Sequence, residues 1–225
     1  MREIALDTET TGLDPNTGDR IVEIGCVEME NHIPTGESLQ IFVNPERDIP
    51  EDSQRIHGIT DEFIADKPIF AKIADTFLDF IGDAVLVIHN ADFDVKFLNA
   101  EFARLDMPPL SMDRVIDTVK MARKKFPGSP ASLDALCRRF GIDNAHRTFH
   151  GALKDSDLLA SVYLELIGGR EPGLILANLE KKSETRQNKK TKSVARAPRT
   201  YAPSDAELQA HTAFLEKIKE PIWEK

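Results

Sequence analysis

Cysteine is scarce in this chain of 225 residues: only Cys26 and Cys137 occur. Both sit among apolar neighbours without Cys-x-x-Cys spacing, which excludes a disulfide framework and argues against a zinc site. No apolar run approaches the roughly 18 residues that a membrane helix needs. The opening MREIALDTET holds no apolar stretch of the signal-peptide kind. A reducing, cytoplasmic setting is the expectation. Positive charge is also short: 29 Lys and Arg face 38 Asp and Glu, a formal net charge of −9. That balance disfavours a protein that grips nucleic acid through a broad basic surface. It does not disfavour one that holds cations with carboxylates. No internal repeat is present, which removes solenoids from consideration. With 41% hydrophobic and 30% charged residues, what remains is a globular chain long enough for one ordinary core and an appendage.

Charge divides that chain. Residues 180–200 carry eight Lys or Arg against two Asp or Glu, residues 201–225 total −2, and residues 1–179 total −13. The basic stretch offers Val194 as its one aliphatic side chain beyond alanine. Too little apolar surface is available there to offset the ordering entropy, so residues 180–200 read as a flexible linker between a domain at 1–179 and a tail at 201–225. Within the tail, SDAELQAHTAFLEKIK has an N-cap candidate in Ser204 or Asp205 and a loosely helical apolar pattern. Leu208, Phe214 and Trp223 suit a peptide that docks on another protein. The alternative is a disordered tail.

In the core, strand and helix signals alternate. Strands are expected at Arg2–Thr8, Ile21–Glu28, Leu39–Val43, Ala84–His89 and Arg114–Asp117. Helices are expected at Lys67–Gly82, Asp94–Leu105, Ser132–Phe140 and Lys154–Ile167, with Pro68 in a first turn, Ser132 as an N-cap and Gly141 as a terminator. Three early strands followed by alternating helices and strands predict an α/β domain with a mixed sheet flanked by helices.

Three acidic clusters stand out. Asp7 and Glu9 end the first strand in LDTETTG; residues i and i+2 share a face, so two carboxylates project together. Like charges so placed repel unless cations or protons neutralise them, and oxygen ligands suit Mg²⁺ or Mn²⁺. A solvated pair at a strand end is the plain alternative. HNADFD follows the apolar strand and puts Asp92 and Asp94 at the carboxyl edge of the sheet, where α/β sites collect. Either acid could instead cap the next helix. In HGALKDSDLL, Asp155 shares a helical stripe with Leu159 and Val162 and so faces inward, while Asp157 falls on another face. His150 precedes that helix and is followed by Gly151; a neutral imidazole there could take a proton from water.

The order Asp-x-Glu, His-Asn-x-x-Phe-Asp, His-x-x-x-x-Asp resembles the three motifs of the DEDDh exonucleases, over about residues 1–170. The resemblance implies a ribonuclease H-like fold and a two-metal hydrolysis of phosphodiester bonds that releases nucleoside 5′-monophosphates. It implies Asp7, Glu9, Asp94 and Asp155 as ligands of two Mg²⁺ or Mn²⁺ and His150 as general base; Asp94, not Asp92, matches the family position. RIHGIT is similar to the segment in which proofreading members place a His near the terminal nucleotide, here His57, and Thr10 and Leu13 are the further substrate candidates. GIDNAHRTFHGALKDSDLLASVYLEL and the SDAELQAH…EPIW tail resemble the proofreading members that serve bacterial DNA polymerase III. That implies docking of Leu208, Phe214 and Trp223 on the polymerase (alpha) subunit. It also implies a weak sliding-clamp motif in REPGLIL, through Leu174 and Leu176, with Glu171 where a Gln is expected. A small accessory subunit is a further partner of that group. A DNA 3′→5′ exonuclease is the resulting expectation. The competing readings are a ribonuclease that trims RNA 3′ ends and a non-catalytic polymerase scaffold.

Overall fold

The computed structural model describes residues 1–144, 150–169 and 202–217. They fall in two units, within Met1–Ile175 and within Leu176–Lys225.

The first unit is built on five strands: β1 (Arg2–Thr10), β2 (Ile21–Glu30), β3 (Ile33–Phe42), β4 (Val85–Ile88) and β5 (Val115–Asp117), in the order β3-β2-β1-β4-β5. β1, β2 and β3 run antiparallel as a meander, and β4 and β5 join β1 in parallel. The two-residue turn between β2 and β3 takes positive φ at Asn31 and His32, the geometry a tight hairpin demands. Among the described residues, seven α-helices accompany the sheet: α1 (Glu51–His57), α2 (Asp61–Ile64), α3 (Phe70–Ile81), α4 (Ala91–Arg104), α5 (Thr118–Lys125), α6 (Leu133–Phe140) and α7 (Ala152–Ile167). The expected mixed sheet flanked by helices is therefore present.

Alternation along β1 divides the core. Ile4 and Leu6 pack into a cluster with Phe70, Phe77, Phe97 and Phe102 from α3 and α4. Ala5 packs into the opposite cluster with Leu136, Leu159 and Val162 from α6 and α7. A strand apolar on both faces has no room for water at its ends except where the helices diverge, so the carboxyl edge of β1, β4 and β5 is where polar side chains gather. Arg20 and the buried Glu101 tie the start of β2 to α4 with two hydrogen bonds of 2.7 and 2.9 Å.

Several boundaries differ from the sequence reading. β3 begins at Ile33 rather than Leu39, because the hairpin turn at Asn31 and His32 continues pairing immediately. α3 begins at Phe70: the Pro68 carbonyl accepts the Asn44 N–H at 2.9 Å and belongs to an extended segment, not to a first turn. α4 begins at Ala91, so both Asp92 and Asp94 lie in its first turn. α7 begins at Ala152. α1, α2 and α5 had no expectation; they are short or, in α5, strongly basic, and give little apolar period. Ser132 caps α6 through a bond from the Ala135 N–H, and Gly141 closes it in the left-handed region, as read from the sequence.

The position of α7 depends on Gly25. A methyl group there would lie 2.1 Å from the Ala152 carbonyl carbon and 2.2 Å from the Leu153 nitrogen. The Ser156 hydroxyl donates to the Gly25 carbonyl at 2.9 Å. Gly25 pairs with Asp7 across β1 and β2, so this contact brings Asp155 to the cavity that Asp7 lines.

In the second unit, Ser204 and Glu207 form a capping box at the start of α8 (Asp205–Leu215). Leu208 and Phe214 are exposed on it. Leu174, Leu176, Glu171, Trp223 and the stretch 180–200 lie outside the described residues.

Gly25→Ala is expected to lower stability by about 1–3 kcal/mol, since the clash is with backbone, and to lower Tm by roughly 5 °C. Differential scanning fluorimetry of the purified variant checks it. An unchanged Tm would show that α7 can recede without cost.

Candidate active site

Asp7, Glu9, Asp94, His150 and Asp155 all line one cavity of about 280 Å³ at the carboxyl edge of the sheet. Three separate parts of the chain supply them. β1 brings Asp7 and Glu9 on one face, the first turn of α4 brings Asp94, and the first turn of α7 with the residue before it brings Asp155 and His150. Ligand atoms of Glu9, His150 and Asp155 lie within 4.8 Å of one another, and His150 Nδ1 is 3.5 Å from Asp155 Oδ2.

Local bonds hold each member. Asp94 is buried, and its Oδ1 accepts from the Thr8 N–H at 3.0 Å and from the Thr8 hydroxyl at 2.7 Å. Burial pushes the Asp94 carboxyl up to about 7; the Thr8 bonds oppose that rise, and the charge of Asp117 adds to it. The capping alternative gives way here, since the N-cap position is Asn90 and its side chain makes no cap bond. Asp92 instead faces outward and pairs with Lys120 at 3.1 Å. Asp155 is buried and Asp157 is exposed, as the helical stripe predicts. The His150 N–H donates to the Ile56 carbonyl in α1 at 3.0 Å.

A carboxylate-rich set that is mostly buried is costly to keep charged in water-poor surroundings. Hard divalent cations with oxygen preference suit that donor set, and the side chains present fit them.

The substrate candidates converge as well. Thr10, Leu13 and His57 line a neighbouring cavity of about 540 Å³ together with Ser53, Ile56 and Phe93. Leu13 is 84% exposed and presents an apolar side chain to solvent. His57 is buried at the end of α1; its Nδ1 accepts from the Ile59 N–H at 3.0 Å, and burial holds its pKa below the ordinary imidazole value.

Sequence reasoning missed three supporting residues. Thr8 steadies Asp94. Gly25 admits α7. Glu23, buried on β2 and paired with Glu9, accepts from the Ala152 N–H at 3.1 Å and from the Gln40 amide at 2.7 Å. It thereby satisfies a donor at the start of α7 and complements the helix dipole. The signal was available, because an acid interrupts the apolar run IVEIG.

A mixed sheet with this strand order and an acidic cavity on its parallel edge defines a nuclease of the exonuclease type, and the sequence matches the family described as Exonuclease over residues 4–163. The chain belongs to that family. More particularly, it is 51% identical over 224 residues to the DNA polymerase III subunit epsilon of Rickettsia felis, with 97% of each chain covered. Among solved structures it is similar to exonuclease X in complex with 5′ overhanging duplex DNA, at 30% identity and a TM-score of 0.58, over 74% of this chain and 90% of that one. The nuclease domain of 3′hExo, a DEDDh family member bound to rAMP, shares the fold at 20% identity and a TM-score of 0.64, over 74% and 91% of the two chains. No helix among the described residues is long and apolar enough to cross a membrane.

Asp94 gives a pH-dependent expectation for the metal-free protein. Burial raises its folded pKa to about 7, well above that of an ordinary, solvated aspartate. Its protonated form therefore favours the fold at low pH, and that contribution is lost as pH rises through about 7. In EDTA, Asp94→Asn is expected to melt several degrees above the wild type at pH 8 and to show a much smaller gain at pH 4. Thermal melts at both pH values check it, and equal gains would remove burial of the carboxylate as the cause.

Proposed function

We propose that this chain removes nucleotides one at a time from the 3′ end of DNA and serves as the proofreading subunit of a replicative polymerase. What carries the reading is the gathering of Asp7, Glu9, Asp94, Asp155 and His150 round one cavity, next to a second cavity sized for a nucleoside. Asp7, Glu9, Asp94 and Asp155 would hold two Mg²⁺ or Mn²⁺, whose chemistry is to neutralise the carboxylates and the phosphate and to acidify a water. His150, half exposed and 3.5 Å from Asp155, takes the proton from the attacking water at its imidazole. Asp155 orients that ring. Thr10, Leu13 and His57 bound the terminal nucleoside, with His57 neutral and able to pack against a base or sugar. Terminal pairs that are mismatched unstack at least cost, so selection for errors needs no reading of sequence.

A frayed 3′ end is a small target for a domain carrying −13. Delivery by a partner compensates for the weak attraction. The tail at 201–225 behind the 180–200 linker serves that purpose, with Leu208, Phe214 and Trp223 meeting the polymerase (alpha) subunit. Full-length likeness to a DNA polymerase III epsilon subunit supports it. Leu174 and Leu176 in REPGLIL are the candidate sliding-clamp contact, and a small accessory subunit is a further candidate partner.

Digestion of a 5′-labelled primer, matched or 3′-mismatched, with an RNA strand alongside, tests the activity. Stepwise 3′ shortening of DNA is expected with Mg²⁺ or Mn²⁺, faster at the mismatch and absent in EDTA. Asp7→Ala and His150→Ala are each expected to slow it by roughly a hundredfold or more. Preference for RNA would move the chain to the trimming ribonucleases, and inertness toward both would leave the scaffold reading.

For the tail, Phe214→Ala combined with Trp223→Ala is expected to weaken co-purification with the polymerase subunit by about tenfold or more, without changing digestion of free oligonucleotides. Undiminished co-purification would remove the tail from that interface.

A further inference from the structure

Three cavities follow one another along the carboxyl edge of the parallel strands. The nucleoside cavity and the acidic cavity share Thr8, Glu9 and Phe93. The acidic cavity shares His89 and Ser132 with a third, of about 470 Å³, whose walls add Asn90, Arg123, Ser129 and Pro130. No residue borders both the first and the third. If the terminal nucleoside occupies the first cavity and its phosphate reaches the carboxylates, the strand must leave the acidic cavity by another wall. The third cavity is the opening that adjoins it there.

Its chemistry suits a polyanion. Residues 114–139 carry seven Lys or Arg against two Asp or Glu, a local +5 within a core that totals −13. Several of those cations have other work. Lys120 pairs with Asp92 and Asp117, Lys125 donates to the Glu165 and Leu166 carbonyls, and Arg139 stacks over Phe126. Arg123 is exposed on α5 and, among the described residues, enters no hydrogen bond or ion pair. Beside it stand the Ser129 and Ser132 hydroxyls and the amide of Asn90, whose backbone is held at φ 70°. A guanidinium flanked by hydroxyl and amide donors is the usual equipment for a backbone phosphate, and it reads no base.

We propose that the third cavity binds the phosphodiester backbone of the substrate strand one nucleotide upstream of the scissile phosphate, with Arg123 as the cation that holds it. The site rests on the exonuclease reading above and extends it to a substrate class: single strands long enough to carry an upstream phosphate. It adds grip where the rest of the domain repels DNA, and it is indifferent to sequence.

Steady-state kinetics on two substrates test it, with wild type, Arg123→Ala, Arg123→Glu and the exposed-lysine control Lys72→Ala. One substrate is a short single-stranded DNA oligonucleotide. The other is the p-nitrophenyl ester of thymidine 5′-monophosphate, which has a scissile phosphate but no upstream one. For Arg123→Ala, KM on the oligonucleotide is expected to rise about fivefold at low salt, and more for Arg123→Glu. The slope of log KM against log salt is expected to flatten by about 0.7. The ratio of kcat/KM on the oligonucleotide to that on the ester falls with both Arg123 variants and holds with Lys72→Ala. An unchanged ratio, whether both substrates are lost together or neither is affected, would overturn the site. A wild type inert toward both substrates would overturn the exonuclease reading beneath it.

Discussion

Contact between the first turn of α7 and the backbone of β2, made where Gly25 offers no side chain, is the constraint on which the acidic cavity depends. Helices laid on a sheet ordinarily stand off by the thickness of their side chains. Here the helix touches the strand itself, and Ser156 and Glu23 bond it down on either side of the contact. That closeness brings Asp155 within ligand distance of Glu9, which pairs across the same two strands. The two motifs that look most separate in sequence, near residues 7 and 155, thus meet across a strand position that has no Cβ.

Burial has its own cost at this cavity. Asp94 is a carboxyl driven toward the neutral form by burial despite two donors from Thr8. The fold tolerates this through its other bonds: the Arg20–Glu101 pair anchors α4, and Lys120 pairs with the exposed Asp92 and with Asp117. Stability and the proposed catalysis therefore pull in opposite directions at this cavity, as is common where a site is built from like charges.

Much of this arrangement was legible from the residues. The period-2 logic of β1 gave Asp7 and Glu9 a common face, and the helical stripe through Leu159 and Val162 turned Asp155 inward and Asp157 outward. What was not legible depended on backbone geometry or on side chains whose partners are distant in sequence. The start of α4 at Ala91 turns on a left-handed Asn90, which no periodicity reveals. α1 and α2 are too short to show a period, yet α1 carries His57 and the carbonyl that receives His150. Glu23 lay in an apolar run as an anomaly, and only its bond to Ala152, far along the chain, explains it.

That single bond from the His150 N–H to the Ile56 carbonyl joins two things that chemistry would treat separately. Ile56 and the adjoining His57 wall the cavity that Thr10 and Leu13 also line, and His150 stands at the acidic one. On the proposed reading, the segment that bounds the terminal nucleoside and the residue that takes the proton share one backbone bond, so a 3′ end that displaced α1 would displace His150 with it.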